Sequence, residues 1–283
     1  MDYLVAQGHP CPIRAEVALD WARQASARCY RTGAAKRLRL VRGFLSHLKA
    51  FEPETEIPLP GLVAEPRRPK AHLYSPEQIT HMMAVTRLFW EADPLRQKTI
   101  YTVIGLLASS GLRIREALQL TLDQVHLDDV PPYLEIRNTK FHKSRLVPIH
   151  PTTAEKLREY QAERQRDRYA WRFNTFFISY HGRPLHYLMI RKALHQIQSH
   201  VGIAKTFKQQ GPALHALRHA FAVERLLAWY RAGVDVRTQM PHLSVYLGHL
   251  GMVETYRYLS ATPELLTVIG EIFGRYAQSG DRT

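Results

Sequence analysis

The sequence predicts a mainly α fold with a small antiparallel β-sheet, an α+β class. Most apolar residues recur at helical spacing, whereas residues 133–150 read YLEIRNTKFHKSRLVPIH, two short alternating runs around a polar turn. That second pattern is typical of a β-hairpin. Five prolines lie between residues 53 and 69. Proline at this density excludes a helix, so it predicts a linker from about residue 53 that joins a unit at 1–70 to a second unit at 71–283.

The first unit is predicted to be helical from residue 13 to about 51. In the stretch AAKRLRLVRGFLSHLKAF, apolar residues including Leu38, Phe44 and Leu45 share one predicted helix face. Basic residues occupy the other face. A solvated surface explains this stripe as well as DNA binding does. The candidate DNA-binding residues are Lys36, Arg37, Arg39 and Arg42.

The overall charge favours a polyanionic partner. The 283 residues include 39 Lys and Arg against 25 Asp and Glu, a net charge of +14. A protein this basic commonly binds nucleic acid. The two cysteines show no metal-binding spacing, and the sequence has neither a signal-peptide pattern nor a long apolar run. We therefore expect a cytoplasmic protein, nucleoid-associated when it is bound to DNA, with no membrane partner.

Residues that typically begin or end helices mark the elements of the second unit. Ser75 and Pro76 predict a helix start, because serine caps helices and proline fits the first turn. Gly111 predicts a break in the apolar stretch at 99–120, since glycine adopts the left-handed conformation that ends helices. The predicted hairpin follows. Helical spacing then returns at 152–167, 186–202 and 212–233, and Gly233 ends the last of these.

Groups suited to chemistry occur in four separate places. Arg113 follows the Gly111 break, Lys140 lies in the predicted hairpin turn, and His215 and Arg218 are three residues apart on one helix. His249 follows a glycine, and two tyrosines, at 256 and 258, come next. Each group alone has an ordinary structural explanation, such as a surface ion pair or a core histidine.

Together these stretches resemble the tyrosine recombinases, also called the phage integrase family. The resemblance rests on SSGLRIREAL, NTKFHKSRLVPIH, HALRHAFAVERL and YLGHLGMVETYRYL, which stand in the family's order across residues 73–262. It implies a two-domain, C-shaped DNA clamp, with a helical core-binding domain at 1–70 and a catalytic domain at 71–283. At this length we expect no further arm-binding domain.

The resemblance also implies a role for each matched position. Tyr258, nine residues after His249, matches the nucleophile, which leaves Tyr256 as a packing residue on the opposite face with Val253 and Leu259 as possible neighbours. Glu116 matches a supporting acidic residue. Lys143 competes with Lys140 for the hairpin lysine and is otherwise a DNA-binding candidate. The implied catalytic residues are Arg113, Lys140, His215, Arg218, His249 and Tyr258.

Elementary chemistry agrees with these roles. Two guanidiniums can hold the phosphodiester oxygens on which charge accumulates, so no metal and no cofactor is expected. A tyrosine attacks once its proton is removed, and a lysine can protonate the leaving 5′ oxygen. The product is a 3′-phosphotyrosyl bond that can be rejoined without ATP. The implied partner is double-stranded DNA with a specific site, bound by a tetramer across two sites, whereas the free protein is a monomer or weak oligomer.

Some features depart from the family, and other functions compete. Ala216 and Ala220 stand where relatives often carry Asp and Thr or Ser. His215 and His219 have the spacing of zinc ligands, although the glutamate of a zinc-protease motif is absent. A DNA-binding regulator without catalysis and a type IB topoisomerase-like enzyme are the remaining alternatives. A C-terminal helical pattern at 262–276 fits either self-coverage or packing on a neighbouring protomer.

Overall fold

Helices dominate the structure, a computed structural model that describes residues 8, 12–24, 31–64, 72–137, 144–168, 170–179, 181–203, 213–259, 265, 267, 268 and 270. The chain divides into two compact units, Met1–Lys70 and Ala71–Thr283. The predicted mainly α fold with a small antiparallel sheet is confirmed. The elements are α1 (Ala15–Gln24), α2 (Arg31–Leu48), α3 (Pro76–Thr86), α4 (Pro94–Ser110), α5 (Ile114–Gln119), β1 (Val125–His126), β2 (Tyr133–Ile136), β3 (Arg145–Pro148), α6 (Pro151–Arg166), α7 (Tyr187–Val201), α8 (His215–Arg231), α9 (Val236–Leu247) and α10 (Met252–Tyr256), with 3₁₀ turns at Leu122–Gln124 and Ala170–Arg172.

The first unit is built on the packing of α1 against α2. Ile13, Ala18 and Leu45 form a buried apolar cluster. The guanidinium of Arg37 lies 3.8 Å from the centre of the Trp21 ring, a favourable cation–π contact between the two helices. One of the basic residues of the predicted stripe therefore also stabilises the unit.

The buried face of α2 is narrower than the sequence pattern predicts. Leu38 and Leu45 are buried, but Phe44 is 49% exposed, because the described part of the unit gives α2 a single helical neighbour. The basic face is also uneven: Lys36 and Arg39 are exposed, whereas Arg37 is half-buried.

The proline-rich stretch is part of the first unit over residues 55–58. Thr55 is fully buried, and the Glu56 amide donates to the Ile13 carbonyl at 2.9 Å. A guanidinium nitrogen of Arg42 donates to the Pro58 carbonyl. Residues 56 and 58 of the predicted linker therefore find hydrogen-bond partners in the unit that precedes them.

The sheet of the second unit has the strand order β1-β2-β3, with antiparallel pairs throughout. Leu134 pairs with Val147, and both are fully buried, while Leu146 on the other face is 58% exposed. The predicted hairpin is confirmed as the pair of β2 and β3. Its turn at 138–143 lies outside the described residues.

Helix α4 runs through the core of the second unit. Its apolar residues occupy every side, which is the pattern of a helix surrounded by other elements. It packs against α3, α6 and α8. No helix in the described part of the chain is both long enough and apolar enough to cross a membrane.

Two predicted helix boundaries are confirmed and fix where the site begins. Ser75 and Gln78 form a reciprocal capping box at the start of α3. Gly111 ends α4 with φ = +63°, and a Cβ there would lie 2.4 Å from the Phe221 ring. A side chain at this position would therefore be excluded twice, by the backbone conformation and by α8. The chain turns sharply here, so that Arg113 stands at the start of α5.

Candidate active site

Three arginines from separate elements converge on the C-terminal end of α9. The last carbonyls of a helix have no partner within it and form the negative end of its dipole, so they suit cationic donors. Each arginine takes one of three consecutive carbonyls. The hydrogen bonds run from Arg145 Nε to Tyr246 O (2.8 Å), from Arg218 Nη2 to Leu247 O (2.7 Å) and from Arg113 Nη2 to Gly248 O (2.8 Å).

Glu116 joins two of these arginines. Its Oε1 accepts from Arg113 Nη1 at 2.9 Å, and its two oxygens accept from Arg145 Nη1 and Nη2 at 3.1 and 2.8 Å. It also accepts from the Arg113 amide at 3.0 Å. Burial acts to raise the pKa of this carboxyl, but the hydrogen bonds and charge of Arg145, together with Arg113, outweigh burial and lower it. Glu116 is therefore a buried carboxylate that holds both guanidiniums.

Arg218 is almost fully enclosed, with 1% of its surface exposed. It reaches from α8 to the Gly111 carbonyl at 2.8 Å, so it joins the break after α4 to the end of α9. Its Nε is buried and has no hydrogen-bond partner among the described residues. Burial and the nearby Arg113 lower the pKa of Arg218, while Tyr258 and Glu116 beside it act in the opposite direction.

Tyr258 lies against the same group of residues. It is 4% exposed, and its ring stacks on His249 with 5.9 Å between centroids. His249 follows Gly248, which ends α9 with φ = +68°, and its Nδ1 pairs with the Thr255 hydroxyl at 2.8 Å. The left-handed turn after α9 therefore carries His249 back toward the segment that ends in Tyr258.

A pair of histidines on α8 completes the cluster. The His215 ring packs edge-on against His219 at 4.6 Å, and His219 packs edge-on against Tyr258 at 5.3 Å. Burial is the main cause that lowers the pKa of both histidines, with the charge of Arg218 adding to it. The pKa of His215 falls to about 4 although the residue is exposed at the surface. Both rings are consequently neutral near pH 7.

The environment of Tyr256 differs from the prediction. Tyr256 is 48% exposed and its predicted neighbour Val253 is 69% exposed. Helix α10 ends at Tyr256, and Tyr258 lies in the turn beyond it. The geometry of a continuous helix therefore does not apply to this pair, and the buried tyrosine is Tyr258.

The structure brings together five of the six predicted catalytic positions with Glu116. The sixth, Lys140, and the alternative Lys143 lie outside the described residues. Among the residues that are described, no three His, Cys, Asp or Glu side chains cluster as metal ligands, so the zinc alternative finds no third ligand there.

Sequence reasoning missed Arg145. Side chains alternate along a strand, so Arg145 shares a face with the buried Val147, while Leu146 points the other way. A charged residue in register with the buried face of a strand needs a buried partner. That register was the signal in the sequence that could have identified Arg145.

The comparison with known proteins agrees with this geometry. Residues 73–264 match the model of the phage integrase family. The chain belongs to the phage integrase family. It is 37% identical over 259 residues to "Putative integrase/recombinase y4rB" of Sinorhizobium fredii, covering 90% of this chain and 82% of that protein. It is 31% identical over 204 residues to tyrosine recombinase XerD of Lacticaseibacillus casei, covering 68% and 64%. Tyrosine recombinases of this family break and rejoin DNA strands.

Solved structures of family members share the fold. XerH recombinase bound to a palindromic difH substrate has a TM-score of 0.69 at 15% identity, over 96% of this chain and 76% of that one. The Tn1549 transposon integrase bound to transposon right-end DNA has a TM-score of 0.69 at 16% identity, over 94% and 87%. At these identities the likeness concerns the fold.

Proposed function

We propose that this family member is a site-specific DNA recombinase whose nucleophile is Tyr258. The observation that carries the proposal is the convergence of Arg113, Arg218 and His249 with a buried Tyr258 at the end of α9. The phenol oxygen attacks a backbone phosphorus, a P–O5′ bond breaks, and a 3′-phosphotyrosyl bond with a free 5′-hydroxyl results. Attack by a 5′-hydroxyl from another strand reverses the step and releases the tyrosine.

Arg113 and Arg218 are the proposed phosphate ligands. A guanidinium has five N–H donors in a fixed plane, so it can hold a backbone carbonyl and still offer donors to a phosphate oxygen. Both arginines are already fixed by carbonyls, which supports a role in stabilising charge without reorganisation during the reaction. Glu116 is proposed to orient Arg113.

Proton transfers are assigned to the remaining groups. His215 is proposed to accept the Tyr258 proton, and its lowered pKa keeps it neutral and available as a base. His249 is proposed to hydrogen-bond the phosphate. Lys140 is proposed to protonate the leaving 5′ oxygen, with Lys143 as the neighbouring DNA contact. Because arginines supply the charge stabilisation, the proposed reaction uses no metal and no ATP.

The proposed organisation follows the family. Residues 1–70 are proposed as a core-binding domain and residues 71–283 as the catalytic domain of a DNA clamp. Lys36, Arg37, Arg39 and Arg42 are proposed to contact DNA phosphates. We propose a tetramer on two recombination sites. Integration, excision or transposition of a mobile element is the proposed setting, since relatives bear the names integrase and transposon integrase.

The test begins by finding the DNA site. Tyr258→Phe should bind DNA without cutting it, so this variant is used to select bound duplexes from a random-sequence library. The selected duplex is then nicked near each candidate position, because the short fragment beyond the nick diffuses away and traps the covalent product. We expect wild type to form a protein–DNA adduct that resists SDS.

Tyr256→Phe is the matched control. This substitution removes the hydroxyl of an exposed ring that lies two residues before Tyr258. The variant should therefore form the adduct at the wild-type level. Tyr258→Phe should form none while it binds the duplex equally well. An adduct with Tyr258→Phe but none with Tyr256→Phe would reverse the assignment. Binding without any adduct from wild type would favour the regulator without catalysis.

A further inference from the structure

We propose that Arg145 is a positioning residue of this active site, acting through Glu116 on Arg113 and through α9 on the turn that holds His249. The inference rests on the proposed function, because it concerns the geometry of the phosphate ligands. Arg145 was not among the residues matched to the family's catalytic set. Its side chain is only 9% exposed, so most of its N–H donors are shielded from bulk solvent.

The contacts of Arg145 join three elements. It starts in β3, donates to the Tyr246 carbonyl of α9, and pairs through both terminal nitrogens with Glu116 of α5. A bidentate guanidinium–carboxylate pair fixes both distance and angle. Since Glu116 also binds the amide and the guanidinium of Arg113, the position of Arg113 depends on where Arg145 holds the carboxylate.

Gly248 gives a second, independent contact with the same guanidinium. A Cβ on Gly248 would lie 2.6 Å from Arg145 Nη1 and 2.8 Å from its Cζ. The guanidinium therefore occupies the space beside the turn at Gly248, whose carbonyl accepts from Arg113 and which His249 follows. Arg145 thus supports the turn sterically as well as through hydrogen bonds.

Loss of Arg145 should leave Glu116 with a single guanidinium partner. A buried carboxylate requires a cationic partner, so the guanidinium of Arg113 would turn toward Glu116 and away from the phosphate. A displacement of about 1 Å in a catalytic group commonly slows a reaction about 100-fold. We expect Arg145→Met to slow single-turnover cleavage by about that factor, with DNA affinity within about threefold of wild type.

The experiment uses the full chain on the nicked duplex and measures DNA affinity, single-turnover cleavage and thermal unfolding. Arg145→Lys keeps the charge but not the bidentate fork, so it should recover part of the rate. Arg158→Met is the matched control: Arg158 also binds a carbonyl and a carboxylate, of Leu127 and Asp128, on another part of the unit. It should cleave at the wild-type rate.

A double-mutant cycle with Glu116→Gln tests the route through the carboxylate. If Arg145 acts through Glu116, the double variant should be little slower than the slower single variant, because both changes remove one interaction. Fully multiplicative losses would overturn this route. Should Arg145→Met fail to fold, the same cycle is run with Arg145→Lys.

A second substrate separates this route from an effect on Lys140, which precedes Arg145 in the same hairpin. With sulfur in place of the bridging 5′ oxygen, the leaving group needs no proton, so cleavage no longer requires a general acid. The Arg145→Met defect should persist on this substrate. Rescue there would overturn the proposal in favour of a lysine effect.

A wild-type rate in folded Arg145→Met would overturn the proposal outright. Absence of an adduct from wild type would instead defeat the proposed function.

Discussion

His249 illustrates how neighbouring charges set the state of a single residue. Burial first, and then Arg218, Arg113, His215 and Arg145, lower its pKa to about 4. An imidazole beside these three arginines is neutral at pH 7, with one ring nitrogen as donor and the other as acceptor. Because Nδ1 is engaged by Thr255, the other ring nitrogen is the one available to a phosphate.

This lowered pKa predicts an acid-sensitive stability. The unfolded histidine titrates near pH 6.5, so between about pH 6.5 and 4 the unfolded chain binds a proton that the folded chain does not. The stability that neutral His249 contributes is complete above pH 6.5 and is lost as pH falls toward 4. We expect urea unfolding at stepped pH to show a smaller loss for His249→Asn than for wild type. Superimposable pH profiles would contradict the prediction.

The tyrosine pair and Arg145 show what residue patterns could and could not predict. Counting from His249 selected Tyr258, whose burial is consistent with that choice. The predicted environment of Tyr256 was wrong because the position of a helix end cannot be predicted from sequence to within one or two residues. The contacts of Arg145 with Tyr246 span 101 positions, so no local pattern contains them. The register of Arg145 along β3 could predict only that its side chain is buried, not which residues it contacts.

At the scale of elements, the end of α9 depends on Gly248 in two ways. Gly248 has φ = +68°, and its missing side chain leaves room for Arg145. Gly202 ends α7 with φ = +74°, but no atom of the described residues lies within 4 Å of its missing Cβ. The two glycines therefore share a backbone requirement and differ in the contact with an arginine.

Alanine at these two positions should separate the two effects. Gly202→Ala should lower the free energy of unfolding by about 1–2 kcal/mol, the cost of a left-handed alanine. Gly248→Ala should lower it by roughly a further 1–3 kcal/mol, because the Arg145 hydrogen bonds to a charged group are displaced. Urea unfolding of both variants measures the difference. Equal losses would show that Arg145 adjusts freely.

Elements with strong local signals were predictable, and those set by distant packing were not. The Ser75 capping box and the Gly111 break are written in a few adjacent residues, and alternation identified β2 and β3. The packing of residues 55–58 onto the first unit depends on Ile13, more than forty positions earlier. The exposure of Phe44 likewise depends on how much of α2 its neighbours cover.

The whole molecule carries a net charge of +14, which should make its DNA binding depend strongly on salt. Each phosphate neutralised releases counterions, so log K falls with log salt by about 0.9 per contact on duplex DNA. Lys36 is exposed on α2 and is one of the proposed contacts. Lys36→Gln should therefore make the salt slope less steep by about 0.9.

Lys36→Arg is the control for this measurement, because it retains the charge and should retain the slope. Fluorescence anisotropy across a range of salt concentrations gives both values. A slope unchanged in Lys36→Gln would remove Lys36 from the set of phosphate contacts. Arg37 is a poorer test residue, since its loss also removes the contact with Trp21.

The three arginines on the end of α9 also affect how inactive relatives should be recognised. Each arginine binds a carbonyl at the end of α9, and this helix is part of the fold whether or not the protein cuts DNA. A descendant that had abandoned strand exchange would still be selected to keep them for folding. Their persistence in such a lineage would therefore say little about activity. A phenylalanine could occupy the buried position of Tyr258, so the loss of that one hydroxyl is the change that would mark an inactive enzyme.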